Sequence, residues 1–233
     1  MNAASVDLQR RSRVFNNYYY MQDRSYISRY CKAKIDFNFV IDTSRSIPLE
    51  DFTRQTRFIA DIVSFLDVGP DDTRVASVAF SNYNFPEFGF NNFSRKQDVI
   101  NAIKRIKHSQ GGATSTYLAL EYTHVSIYGP GNGERPDIAD VVIVLTDGKT
   151  NPGSYDTYGD ESGKQQTQIE AAIIKARPAF IFVMGVGSLV DIDELNGMSC
   201  NPDEEFTIQV SSFEALNTDT VKLALLSRVC VGK

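Results

Sequence analysis

The chain has 233 residues, of which 42% are hydrophobic and 23% are charged, and its formal net charge is -5. This length is enough to bury one large core, and the negative charge argues against a general nucleic-acid-binding protein. Every apolar run is shorter than the roughly 20 residues that a membrane-spanning helix needs. We therefore expect one folded domain, or at most two, without a membrane span.

The first 30 residues differ in composition from the rest of the chain, because they carry five arginines, two aspartates and five tyrosines. They lack the apolar stretch of a secretory signal peptide. The chain could therefore be a mature product, a fragment or an intracellular protein. We expect residues 1–30 to form a basic, tyrosine-rich extension and residues 31–233 to form the domain.

Apolar segments of two kinds alternate along the domain. Strands are predicted at 34–41, 73–80, 84–90, 138–146, 179–187 and 205–210. Helices are predicted at 48–67, 94–107, 117–127, 164–176, 190–198 and 219–229, the second of them with Ser94 as its N-cap. Strands separated by helices predict a doubly wound, mostly parallel α/β sheet of six strands, with helices on both faces. The short segment 84–90 contains Pro86 and is expected to be an antiparallel edge strand.

The first predicted strand runs directly into Asp42, Ser44 and Ser46, which are spaced two residues apart. Alternate residues of an extended chain point the same way, so these three oxygen-bearing side chains could converge. Hydroxyl and carboxylate oxygens are the ligands that a hard cation such as Mg²⁺ prefers. The same residue types are also common in turns and helix caps, so both interpretations remain open at this point.

Two further segments place hydroxyls and a carboxylate at the same predicted edge of the sheet. The sequence GGATST spans residues 111–116 and opens a helix, and Thr146, Asp147 and Gly148 follow the most apolar strand. In such sheets ligands bind at the carboxyl ends of the strands. Three loops of this composition at one edge favour a cation site over three independent caps.

The cysteines do not have the spacing of a zinc site. Cys31 precedes the first strand and Cys230 comes just after the last helical pattern, so the two bracket the domain. Their positions are compatible with a disulfide that joins the two ends of the domain, and equally with three reduced thiols. Cys200 would be the spare thiol in the first case.

The order of DTSRS (42–46), GGATST (111–116) and TDG (146–148) resembles the von Willebrand factor type A domain. Segments 133–151, 181–187 and 193–199 are similar to the corresponding parts of A domains in matrilins and non-fibrillar collagens. The resemblance extends over about residues 31–230.

This resemblance implies a metal-ion-dependent adhesion site with named roles. Ser44 and Ser46 would coordinate Mg²⁺ or Mn²⁺ directly, and Thr114 would do so in the ligand-competent state. Asp42 and Asp147 would act through bound water or through hydrogen bonds to the hydroxyls. An Asp or Glu of a partner protein would complete the coordination of the ion.

The resemblance further implies a secreted, extracellular matrix protein that is not an enzyme. Its partner would be a matrix protein such as collagen, and other domains or chains of a larger matrix protein could be attached. Cys31 and Cys230 would be joined, as flanking cysteines are in the relatives. A shift of the last helix would control whether Thr114 reaches the ion. Asn92 begins an Asn-Phe-Ser glycosylation sequon, which matters in a secreted chain.

Two alternatives and two departures from the family pattern accompany this interpretation. The domain could assemble matrix without using its metal, or Asp42 and Asp147 could serve a metal-dependent hydrolase, which would also need a general base. Arg45 occupies a spacer position that is usually small. The loop after TDG is long and acidic, and its Asp156, Asp160 and Glu161 raise the question of a second cation.

Overall fold

The computed structural model describes residues 34–152 and 160–231, and these form one six-stranded sheet covered by helices on both faces. The strands are β1 (Ile35–Asp42), β2 (Arg74–Phe80), β3 (Asn84–Phe88), β4 (Ala139–Gly148), β5 (Ala179–Leu189) and β6 (Thr207–Val210). Their order across the sheet is β3-β2-β1-β4-β5-β6. Only the pairing of β2 with β3 is antiparallel among these strands, so the predicted fold class is confirmed.

The helices that cover the sheet are α1 (Leu49–Phe65), α2 (Lys96–Ile103), α3 (Thr116–Tyr122), α4 (Asp160–Lys175), α5 (Ile192–Met198), α6 (Asp203–Phe206), α7 (Phe213–Leu216) and α8 (Asp219–Val231). Six of the helices correspond to predicted ones, whereas two short helices, α6 and α7, were not predicted, and α6 includes residues 205–206 that were predicted as strand. A π-helical turn, Thr123–Ile127, extends α3. Within the described ranges, no helix combines the length and the apolar character needed to cross a bilayer.

Strand β1 is central and buried along its whole length, which explains its nearly continuous apolar sequence. Phe37, Phe39 and Ile41 pack into the core layer formed with α1, α2, α7 and α8. Val40 faces the other core layer, formed with α3, α4 and α5. Because its side chains alternate between the two layers, β1 runs through the middle of the core. Its last residue, Asp42, lies at the carboxyl edge of the sheet.

The predicted N-cap of α2 was wrong. Helix α2 begins at Lys96, and its N-cap position belongs to Arg95, which makes no side-chain capping bond. The Arg95 guanidinium instead donates to Asp98 at 2.7 Å. Ser94 therefore lies one residue before the cap and does not serve as one.

Several predictions fall outside the described residues. These are the extension 1–30, Cys31, and Asp156 in the loop that follows β4. The extent of the domain at its two ends, the disulfide and a second cation therefore stay predictions.

Candidate metal centre

The loop after β1 folds around the carboxylate of Asp42. Oδ1 of Asp42 accepts the backbone N–H of Ser44 at 2.9 Å, which is a local turn of the kind that aspartate favours. Oδ2 accepts the hydroxyl of Thr146 at 2.8 Å, so the same side chain ties β1 to β4. Helix α1 begins after Pro48 without a side-chain cap. The helix-cap interpretation of this motif is therefore wrong. The residues do form a turn, and the same turn brings their side-chain oxygens together.

Burial sets the electrostatics of this carboxylate. Asp42 is fully buried, and burial raises its pKa to about 6, although the hydrogen bonds from Ser44 and Thr146 oppose that rise. Burial also raises the pKa of Asp147, against the hydrogen bond from Ser46. Two buried carboxylates at one edge are costly when ionised, and a bound cation would offset that cost.

Three oxygens form a continuous chain beside Asp42. The Ser46 hydroxyl donates to Oδ1 of Asp147 at 2.9 Å, and the Ser44 and Ser46 hydroxyl oxygens are 2.9 Å apart. Because Ser46 gives its proton to Asp147, the Ser44 hydroxyl proton is left to point either at Ser46 or at Asp42. Each serine oxygen then keeps a free lone pair for a ligand.

This donor set fits a small hard cation. Two ligands at about 2.1 Å on adjacent positions of an octahedron lie about 3.0 Å apart, close to the serine spacing. Among the described residues, no group of three or more His, Cys, Asp or Glu side chains could hold a metal. A site here would therefore depend on hydroxyl oxygens, of which that of Ser44 is on a buried residue and that of Ser46 on an exposed one.

The segment Gly111–Thr116 lies between the two other loops. Ser44 forms a bridge with Gly111, and the backbone N–H of Arg45 donates to the Gly111 carbonyl at 2.9 Å. Thr114 exchanges two backbone hydrogen bonds with Asn151, at 2.8 and 3.0 Å. The structure thus joins all three predicted loops, and Thr114 enters the arrangement through its main chain.

Arg45 adds positive charge to this surface. Its side chain is exposed, and its guanidinium carbon lies 3.6 Å from the point where a Cβ on Gly112 would stand. The guanidinium therefore extends over the Gly111–Thr116 segment, where it would face an acidic partner and weaken the attraction of a cation.

His108 was not predicted from the sequence. It lies in the segment that follows α2 and contacts the loop after β1. Its ring stacks on Phe52 with centroids 4.9 Å apart, and Nε2 lies 3.1 Å from the Ser44 carbonyl oxygen. The other histidine, His124, pairs with Glu170 at 2.5 Å, away from this edge. No local sequence signal marks His108, because its partners are 56 and 64 residues away.

The remaining predicted residues lie elsewhere. Asn92 is exposed, and its Oδ1 accepts the Gly89 N–H at 2.6 Å. Cys230 lies in the last turn of α8, and Cys200 is a free, half-buried thiol. Glycosylation at Asn92 and the pairing of Cys230 with Cys31 remain predictions.

The fold and the site together define an α/β domain that gathers hydroxyl and carboxylate oxygens at the carboxyl edge of a doubly wound sheet. The sequence model of the von Willebrand factor type A domain matches residues 36–222, so the chain belongs to this family.

Its relatives include proteins of the extracellular matrix. Mouse matrilin-2 is 31% identical over 196 residues, which cover 82% of this chain and 19% of the relative. Human matrilin-1 is 30% identical over 190 residues, which cover 80% of this chain and 35% of the relative. The mouse collagen alpha-4(VI) chain is 30% identical over 198 residues, which cover 83% of this chain and 8% of the relative. The chain thus spans a minor part of each of these proteins.

Solved structures agree with the fold. Proximal thread matrix protein 1 of the mussel byssus gives a TM-score of 0.72 at 27% identity, covering 86% of this chain and 47% of that one. A form of the same mussel protein with a zinc-occupied MIDAS motif gives a TM-score of 0.73 at 25% identity, covering 86% and 46%.

Proposed function

We propose that this domain binds an acidic side chain of a matrix protein, such as collagen, through a Mg²⁺ or Mn²⁺ ion. Ser44 and Ser46 would hold the ion directly, Thr114 would join them in the binding-competent state, and Asp42 and Asp147 would act through water or the hydroxyls. When bound, the ion supplies a positive centre with an open position for a carboxylate. The observation that carries the proposal is the chain of oxygens from Ser44 through Ser46 to Asp147, with 2.9 Å between neighbours.

The chain's own residues prepare this surface. Asp42 is held by the Ser44 N–H and the Thr146 hydroxyl, so the two ligand-bearing loops keep their spacing before a partner arrives. If neutral hydroxyls alone contact the ion directly, less of its charge is neutralised and a partner carboxylate is attracted more strongly. The relatives among matrilins and collagen VI support a secreted, matrix-associated setting and an adhesive role.

The placement of the two histidines of the chain supports adhesion over hydrolysis. A hydrolase needs a general base within reach of an attacking water. His108 uses Nε2 on the Ser44 carbonyl, and its Nδ1 is buried. His124 is paired with Glu170 outside the site. Neither ring is placed to take a proton from water at this edge.

The test measures binding of the chain to immobilised collagens and to whole matrix extract, in Mg²⁺ and in EDTA. Ser46→Ala and Thr114→Ala are run beside Ser64→Ala, which removes an exposed hydroxyl on α1 that bonds the Asp61 carbonyl. We expect binding to be lost in EDTA and in the two site variants, and kept in the control. Binding that survives EDTA and both site variants would instead support a matrix-assembly domain whose contacts do not use the metal.

A further inference from the structure

A buried carboxylate on α5 holds the segment after β4, which carries Asn151. Both carboxylate oxygens of Glu194 accept the backbone N–H of Thr150, at 3.2 and 3.0 Å, and Oε1 also accepts the Thr150 hydroxyl. Glu194 is 2% exposed and Thr150 1% exposed. A carboxylate buried this deeply is stable only when its hydrogen bonds are satisfied.

A residue of α4 makes a second contact with Thr150. The hydroxyl oxygens of Thr150 and Thr167 are 3.0 Å apart, and Thr167 is fully buried on α4. Glu194 itself is oriented by its backbone N–H, which donates to the N-cap residue Asp191 at 3.1 Å. Thr150 is therefore fixed from two helices, and its position does not depend on solvent.

The residue after Thr150 is the backbone partner of Thr114. Asn151 accepts the Thr114 N–H and donates to the Thr114 carbonyl, so the position of Thr114 follows the position of this segment. We propose that Glu194 is a positioning residue for the metal centre, because it fixes Thr150 and thereby Asn151, which sets the place of Thr114. The role of Thr114 as a ligand rests on the proposed function, whereas the link from Glu194 to Thr114 does not.

The first arm of the test needs no cation. Amide hydrogen exchange at Thr114 and Asn151 is measured in cation-free protein, with the amides of β1 as an internal reference. We expect Glu194→Ala to speed exchange at both positions by about tenfold relative to β1, because its bonds to Thr150 are lost. Glu194→Gln, which keeps one acceptor oxygen, should stay within about threefold of the unchanged chain.

The control is Ser212→Ala, which removes the N-cap bond to the Ala215 N–H on α7, a helix on the other face of the sheet. This variant loses a comparable local bond without touching Thr150. Exchange at Thr114 and Asn151 that is equally fast in Glu194→Ala and Ser212→Ala, or unchanged in Glu194→Ala, would overturn the inference.

The second arm is a calorimetric titration with Mn²⁺. We expect Glu194→Ala to weaken the affinity by about tenfold, and Glu194→Gln and Ser212→Ala to stay close to the unchanged chain. Faster exchange with unchanged Mn²⁺ affinity would overturn the link to the metal centre. Absence of Mn²⁺ binding by the unchanged chain would overturn the proposed function, and the exchange arm would still decide the role of Glu194.

Discussion

Asp42 joins two loops with one buried carboxylate. Its first oxygen shapes the turn at Ser44, and its second oxygen accepts from Thr146 at the end of β4. The side-chain amide of Gln55 on α1 donates to the Asp42 backbone carbonyl at 2.8 Å. One residue thus fixes β1, β4 and α1 around the candidate site, so a change at Asp42 would alter folding and metal binding together.

A different buried carboxylate lies at the opposite edge of the sheet. Asp140 begins the buried part of β4, and neither of its carboxylate oxygens has a hydrogen-bond partner among the described residues. Arg177 lies 3.7 Å from Oδ2, while its guanidinium also pairs with Glu134 at 2.7 Å. Burial, followed by the charge of Glu134, raises the pKa of Asp140 to about 7 from its usual 3.8.

This raised pKa predicts that stability falls with increasing pH. Between the unfolded pKa near 3.8 and the folded pKa near 7, the folded protein binds more protons, so rising pH favours unfolding. We expect Asp140 to contribute a fall of about 4 kcal/mol in the free energy of unfolding from pH 4 to pH 8. Asp140→Asn should remove this part, while the raised pKa of Asp42 keeps a smaller fall in the variant. Urea unfolding at both pH values measures it.

Asp137→Asn is the matched control, because Asp137 is exposed and lies three residues away. It should leave the pH dependence as it is in the unchanged chain. A fall in Asp140→Asn as large as in the unchanged chain would show that Asp140 is not responsible.

At the scale of elements, the segment Gly111–Thr116 requires close contact with the end of β2. A Cβ on Gly111 would stand 2.4 Å from the Ser81 hydroxyl oxygen and 2.8 Å from the Ser81 Cβ. A Cβ on Gly112 would meet its nearest neighbour, the guanidinium carbon of Arg45, at 3.6 Å. Gly111 therefore has no room for a side chain, whereas the adjacent Gly112 has room for one.

We expect Gly111→Ala to displace this segment from Ser44 and to weaken Mn²⁺ affinity by about tenfold or more, because the main chain must move to relieve the overlap. Gly112→Ala provides the comparison and should change the affinity by about twofold at most. Calorimetric titration of the two variants tests this. Equal affinities for both would mean that the position of the segment does not matter to the site.

The predictability of these elements depends on how far apart their partners lie in sequence. The strands and α1 follow from local periodicity, and Asp42, Ser44 and Ser46 follow from a five-residue motif. Glu194 acts on Thr150 from 44 residues away and His108 acts on Ser44 from 64 residues away, so no local pattern marks them. Ser94 was a wrong cap because local propensity cannot tell which of two neighbouring residues starts a helix.

At the scale of the whole molecule, α8 ends beside the predicted disulfide. Its Lys222 is buried and pairs with Asp61 of α1 at 2.6 Å, which fixes the first turn of α8 to α1. Cys230 lies two turns further on, in the last turn of α8. The predicted bond to Cys31 would fix that end of the helix and restrain the movement on which Thr114 is expected to depend.

We expect Cys31→Ser, Cys230→Ser and the double variant to lose the same stability, about 2 to 5 kcal/mol, because each opens one loop of about 200 residues. Mn²⁺ affinity should also change in all three variants. Cys200→Ser is the control, since Cys200 is a free thiol. Peptide mapping without reductant, urea unfolding and calorimetry measure these effects. An unpaired Cys230, or unchanged Mn²⁺ affinity, would contradict this prediction.

The two outer strands of the sheet affect how copies of the domain behave at high concentration. On β3, Pro86 lacks an N–H, and the pairing with β2 is irregular between Ser77 and Val78. At the other side, β6 has four residues. Short or proline-bearing outer strands are poor templates for strand addition by another chain. Among the described residues, the outer strands therefore disfavour strand pairing between copies of the domain at high concentration.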